Sequence, residues 1–146
     1  MNEVTFNSAD RPIPIKERRN FKKCITKLFR IEKRSFQRIS YIFCSDNYLL
    51  KLNNQYLNHN YYTDILTFLL SVTNKPIESE IYISIDRIKE NAKVYKISYQ
   101  MELLRVMIHG ALHLCGYNDD NKSAKNKMQQ KENFYIQLYA DSRETS

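Results

Sequence analysis

At 146 residues the chain is long enough to bury one real core, and the size prior gives a single domain over residues 1–146. With 42% hydrophobic and 27% charged residues it is neither disordered nor membrane-like, and no apolar run approaches the ~20 residues of a bilayer span. The formal net charge of +7 favours an anionic partner, nucleic acid being the commonest choice for a cytosolic domain. The opening M-N-E-V-T-F-N-S has no basic stretch followed by an apolar one, so no secretory signal is expected and the chain is read as cytoplasmic. Cys24, Cys44 and Cys115 are odd in number and far apart, which argues for buried thiols and against any disulfide partner.

Glu3 to Phe6 alternates polar and apolar residues and predicts a short edge strand. Pro12 and Pro14 lead into an amphipathic helix from Ile15 to about Ile31. Its outer face carries Arg18, Arg19, Lys22, Lys23, Lys27 and Arg30, equally readable as a solvated face or as an RNA-contacting one. Gln37 to Cys44 is β-branched and aromatic and predicts a buried strand; Ser45 or Asp46 then caps a helix to about Leu57. A tyrosine-rich turn leads to a strand over Ile65–Leu70, and the turn residues Thr73–Pro76 connect it to a strand over about Glu80–Ser84, a hairpin. Asp86 is placed as the cap of a short helix to Tyr95, and Ser98 as the cap of a longer one with Glu102 near its first turn, where the helix dipole favours acid. Between Met101 and Leu114 that helix is apolar around nearly its whole circumference, so it belongs at the centre of the fold. Gly116 ends it, a charged helix covers about Ser123–Ala140, and residues from about 141 to 146 read as a frayed tail. The sum is an α+β chain: a small four-stranded mixed sheet with about five helices, one of them central and buried.

Two histidines on that buried helix need partners, because a desolvated imidazole is costly to leave unsatisfied. Core histidines bonded to backbone or hydroxyl groups are the plain alternative. The spacing H-x-x-x-H-x-x-G-x-x-D over residues 109–119 argues otherwise. His109 and His113 share one helix face, and the turn at Gly116 returns Asp119, as the zinc motif H-E-x-x-H-x-x-G-x-x-H returns its third ligand. Two imidazoles, a carboxylate and an open position suit one zinc ion per chain. Asp120, one residue on, competes for the third place. Position 110 is Gly where a zinc peptidase has its general-base Glu, which disfavours a metallopeptidase and leaves a metal-activated water as the nucleophile.

The string H-G-A-L-H-L-C-G-Y-N-D resembles the H-G-x-L-H-L-x-G-Y-D-H signature of the YbeY family, bacterial rRNA maturation factors described as metal-dependent single-strand endoribonucleases. L-N-N-Q-Y-L…Y-T-D-I-L-T-F resembles the family's L-N-x-x-Y-R…P-T-D-V-L-S-F block, and S-E-I-Y-I-S-I-D-R its G-D-I-x-I-S block; together the likeness spans about Tyr41 to Glu132. The resemblance implies a metal-bearing central helix wrapped by a small sheet and other helices, and metal-dependent hydrolysis of an RNA phosphodiester. It implies an rRNA precursor and the ribosome as partners, with no membrane. His109 and His113 fall on the first two metal ligands, and Asp119 on the third, normally His. The family's Arg is Leu57 here, which removes a guanidinium able to clamp phosphate. His59, Lys51 and Arg105 are the candidate substitutes, and Asp64 is read as orienting a metal ligand, holding substrate or capping a turn. The tyrosines at 56, 61 and 62 either stack on bases or pack. Leu57 carries the second reading, a weakly catalytic or non-catalytic ribosome assembly factor with a structural metal.

Overall fold

The computed structural model describes residues 2–144. In chain order the elements are β1 (Glu3–Ser8), α1 (Arg18–Ile31), β2 (Phe36–Cys44), α2 (Asp46–Leu57), β3 (Ile65–Leu69), β4 (Ile77–Ser84), α3 (Ile85–Tyr95), α4 (Tyr99–Leu114) and α5 (Lys122–Glu144). The sheet order is β1-β2-β4-β3, with β1, β2 and β4 parallel and β3 antiparallel to β4. This is the α+β arrangement with a four-stranded mixed sheet that the sequence predicts, including the β3–β4 hairpin and β1 at an edge.

Alternation along the strands decides which face is covered. Ile39, Tyr41 and Phe43 of β2 and Ile81 and Ile83 of β4 are fully buried on one face, in register as Tyr41 with Ile81 and Phe43 with Ile83. Against them pack Phe21, Ile25, Leu28 and Phe29 of α1 and the apolar residues of α4. α2 covers part of the opposite face, through a smaller cluster of Cys44, Leu49 and Leu66. α4 is the central helix, burying Leu103, Leu104, Val106, Met107, Ile108, Ala111 and Leu112. The Tyr41 hydroxyl donates to the Met107 carbonyl at 2.8 Å and pins this helix to the sheet. Gly110 faces the sheet: a Cβ there would lie 2.8 Å from Ile65 Cδ1 and 3.3 Å from Ile81 Cγ2, so a larger residue would require those side chains to shift.

Some boundaries and caps differ from expectation. α1 begins at Arg18, because the segment through Pro12 and Pro14 stays non-helical while Ile15 is buried in the core. β4 begins directly after Pro76, since the Ile77 N–H donates to the Ser35 carbonyl at 2.9 Å. Ser84 caps α3 in place of Asp86: its hydroxyl accepts from Arg87 N–H at 3.2 Å, while Asp86 accepts from the Asp46 N–H at 3.0 Å. α5 continues through Glu144, so residues 141–144, expected to fray, are helical; Arg143 pairs with Glu17 at 3.1 Å and Gln137 donates to Asp141 at 2.8 Å. The last two residues of the expected frayed tail, 145 and 146, lie outside the described residues. The three cysteines are buried and free, and burial pushes their thiols up to about 12, which makes them poor nucleophiles. Among the described residues no helix is long and apolar enough to cross a membrane.

Candidate metal centre

The last two turns of α4 and the loop after it build the site. Gly116 has φ +102, a conformation that turns the chain back on itself. The turn is closed by Gly116 N–H to the His113 carbonyl at 3.0 Å and Tyr117 N–H to the Leu112 carbonyl at 3.1 Å. Arg34 donates to the Cys115 carbonyl at 3.0 Å, satisfying the helix end. Asp119 is thereby returned toward the histidine face, whereas Asp120 is exposed, its N–H donating to the Asn118 side chain.

His109 Nε2 and His113 Nε2 stand 3.0 Å apart, and Asp119 Oδ2 lies 3.6 Å and 3.9 Å from them. Of the described residues these three form the group whose ligand atoms all lie within 4.8 Å of one another. A tetrahedral zinc with ligands at 2.0–2.2 Å spaces them by roughly 3.3–3.6 Å. The observed separations bracket that span, so the donor set fits such an ion.

The other nitrogen of His109 is also spoken for. Its Nδ1 is 2.7 Å from Glu132 Oε2 of α5, and Glu132 Oε1 accepts from Arg105 Nη1 at 3.1 Å. A proton held on Nδ1 by this carboxylate leaves the Nε2 lone pair aimed at the Asp119 side. Burial by itself lowers the proton affinity of His109, but the bond and charge of Glu132, with Asp119 and Asp64, outweigh it and raise it. His113 moves the other way, lowered by burial and then by the charge of His109.

The centre opens into a cleft of about 790 Å³ whose lining includes Asp64, Glu102, Arg105, His109, Lys122 and Lys125. The sequence-derived candidates divide on this cleft. Asp64 lines it, but its carboxylate accepts from Asn91 Nδ2 at 3.4 Å, and the bond to the first histidine is made by Glu132. Burial raises the Asp64 carboxyl above its usual value even against the charge of His109. Arg105 lines the cleft with its guanidinium engaged by Glu132. His59 is exposed and stacked on Tyr61, away from the cleft lining. Leu57 is 42% exposed at the end of α2, and Tyr56, Tyr61 and Tyr62 are exposed, Tyr62 lying under Arg87. Glu132 and Glu102 carry no motif in the sequence that marks them as groups of this cleft. Glu102 is buried in the first turn of α4, and its carboxyl is raised by burial and by the charge of Asp64.

A mixed α+β fold whose buried helix offers two imidazoles, with a carboxylate returned by a glycine turn, defines a class of small proteins able to hold a metal at a helix end. The profile of the family described as Endoribonuclease YbeY matches residues 3–140. Similar proteins include an Endoribonuclease YbeY of Flavobacterium psychrophilum, 42% identical over 93% of this chain and 96% of that one. Another, from Cytophaga hutchinsonii, is 40% identical over 92% of this chain and 94% of that one. The solution structure of TM1509 from Thermotoga maritima superposes with a TM-score of 0.70 at 25% identity, covering 97% of this chain and 92% of that one. The chain belongs to the YbeY endoribonuclease family.

Proposed function

We propose that the protein is a zinc-dependent endoribonuclease that cleaves single-stranded segments of an rRNA precursor during ribosome maturation in the cytoplasm. The observation that carries the reading is the convergence of His109 Nε2, His113 Nε2 and Asp119 Oδ2 beside a cleft lined by Lys122 and Lys125. The relatives' description as endoribonucleases supports it. In this reading His109, His113 and Asp119 hold the ion, and Glu132 holds the His109 ring in the orientation that presents Nε2. Lys122 and Lys125 offset phosphate charge, and neither makes an ion pair among the described residues. Zinc, when bound, supplies Lewis-acid activation of the attacking water. Position 110 offers a peptidase mechanism no base: it points into Ile65 and Ile81, so a side chain there would enter the core and miss the centre.

The test is single-strand RNA cleavage by purified protein with its zinc counted. Wild-type protein should cut, chelation should stop it, zinc should restore it, and His113→Ala should lose both metal and activity. Protein with a full complement of zinc that leaves RNA intact defeats the hydrolase assignment. A specific observation favours a second reading, the weakly catalytic assembly factor: Arg105 is tied to Glu132 and the family's guanidinium is replaced by the half-exposed Leu57. Leu57→Arg separates the two. A gain in cleavage supports the enzyme, and no gain on an inactive background supports the assembly factor.

A further inference from the structure

Glu102 occupies the first turn of α4, where a carboxylate ordinarily faces water and complements the helix dipole. Here it is only 3% exposed, and it lines the cleft of the metal centre. The Asn91 side chain bonds its carboxyl group, yet its Oε1 has no hydrogen-bond partner; among the described residues it is the buried carboxylate oxygen left in that state. A desolvated acceptor without a donor is costly to keep, and in a cleft it points to a missing donor. Asp64, from the loop before β3, and Asn91 of α3 line the same cleft, joined by the Asn91 Nδ2 to Asp64 Oδ2 contact. Tyr95 and Ile97, both exposed, and Val106 add an aromatic and apolar wall.

The position of this floor relative to the metal centre follows from the helix. Glu102 and His109 are two turns apart on α4, about 10 Å along its axis. A group seated at Glu102 is therefore a close neighbour of a phosphate at the histidines. A cation is the weaker fit for the floor, because its carboxylates do not gather with a third donor as His109, His113 and Asp119 do. Acceptors below and a flat apolar wall beside call for a planar ligand with adjacent N–H donors. Single-stranded RNA presents such groups as splayed bases, stacked on aromatic side chains and bonded along their Watson–Crick edges. Guanine carries two neighbouring donors there, N1–H and the N2 amino group, which match the two oxygens of one carboxylate.

We propose that this part of the cleft is a nucleobase pocket that selects guanine beside the cleaved phosphate, with Glu102 accepting from its Watson–Crick edge and Tyr95 against its face. Asp64 and Asn91 complete the floor. The proposal rests on RNA being the substrate, so its test reads binding as well as cleavage. Zinc-loaded protein is titrated, by fluorescence anisotropy, into short single-stranded RNAs whose one guanine is kept, replaced by inosine, which lacks the N2 amino group, or replaced by adenosine. Wild-type protein should bind and cut the guanine strand about tenfold better than either. Glu102→Gln should flatten that preference while keeping its zinc.

Wild-type protein that treats the three strands alike overturns the pocket and leaves the RNA reading standing, and this arm needs no variant to fold. A Glu102→Gln protein with its preference intact also overturns it. Failure to bind any strand removes the RNA reading, and the pocket with it. Guanosine monophosphate that competes as strongly as the whole strand would assign the pocket to a free nucleotide and overturn the proposal.

Discussion

Glu132 is a carboxylate only 8% exposed on an otherwise charged helix, and its two oxygens serve two different partners. One holds His109 Nδ1 and the other takes Arg105, so the charge is paired and the imidazole is oriented by one side chain. Partners of this kind typically change metal affinity by 10–100-fold when removed. Zinc affinity measured by competition with a chromogenic chelator should therefore fall by about that much in Glu132→Ala, and less in Glu132→Gln, which keeps an acceptor for Nδ1–H. Unchanged affinity in both would reduce Glu132 to a partner of Arg105. The triad itself was legible because its members are near neighbours in the chain, spaced by helix geometry and one glycine turn. Glu132 was legible only in part: Met128, Glu132, Tyr135 and Tyr139 follow the 4-3-4 spacing of a buried stripe, and an acid in that stripe is the signal. Glu102 gave no such signal, since an acid in a first turn is what the helix dipole alone would favour.

At the level of elements, the end of α1 is fastened to the elements that carry the site. Glu32 accepts from Tyr117 at 2.8 Å, from Lys131 at 3.3 Å, and from the Tyr135 hydroxyl, joining α1 to the loop after α4 and to α5. Burial alone would raise this carboxyl, but the bonds from Tyr135, Tyr117 and Lys131 outweigh it and hold it below its usual value. A depressed carboxyl stabilises the fold fully above its unfolded value, about 4.3, and loses that contribution as pH falls through the lower folded value. Glu32→Gln should thus cost about 1–3 kcal/mol near neutral pH, with the deficit narrowing below about pH 4.3. Urea unfolding of both proteins across that range checks it, and a deficit independent of pH would refute it. Element identity was readable because each relies on local pattern: Ser98 caps α4 as expected, its hydroxyl accepting from Met101 N–H at 3.1 Å. Strand order was not readable. The pairing of β2 with β4 in parallel, across α2 and β3, is decided by how Tyr41, Phe43, Ile81 and Ile83 pack beneath α4. The reach of α5 also depended on a distant partner, Glu17.

For the molecule as a whole, the +7 charge raises the question of where an RNA strand would run. Two basic regions are available. One is the exposed face of α1 with Arg18, Arg19, Lys22, Lys23, Lys27 and Arg30; the other is the pair Lys122 and Lys125 at the start of α5, in the cleft. The buried side of α1 packs toward α4 and α5, and none of its residues lines the cleft, so its basic face lies apart from the triad. Net charge acts at long range and steers any polyanion, whereas contact with phosphate releases counterions and registers in the salt dependence of binding. Each phosphate contact to a single strand contributes about 0.7 to the slope of log affinity against log salt. Replacing Lys122 and Lys125 with Gln should lower that slope by about 1.4, while replacing Lys22 and Lys23 should leave it nearly unchanged. The slopes are read from RNA titrations at several salt concentrations, with the metal content of each variant confirmed. Should the α1 pair lower the slope and the α5 pair leave it alone, the strand runs over α1, and a phosphate held there would sit away from the His109–His113 centre.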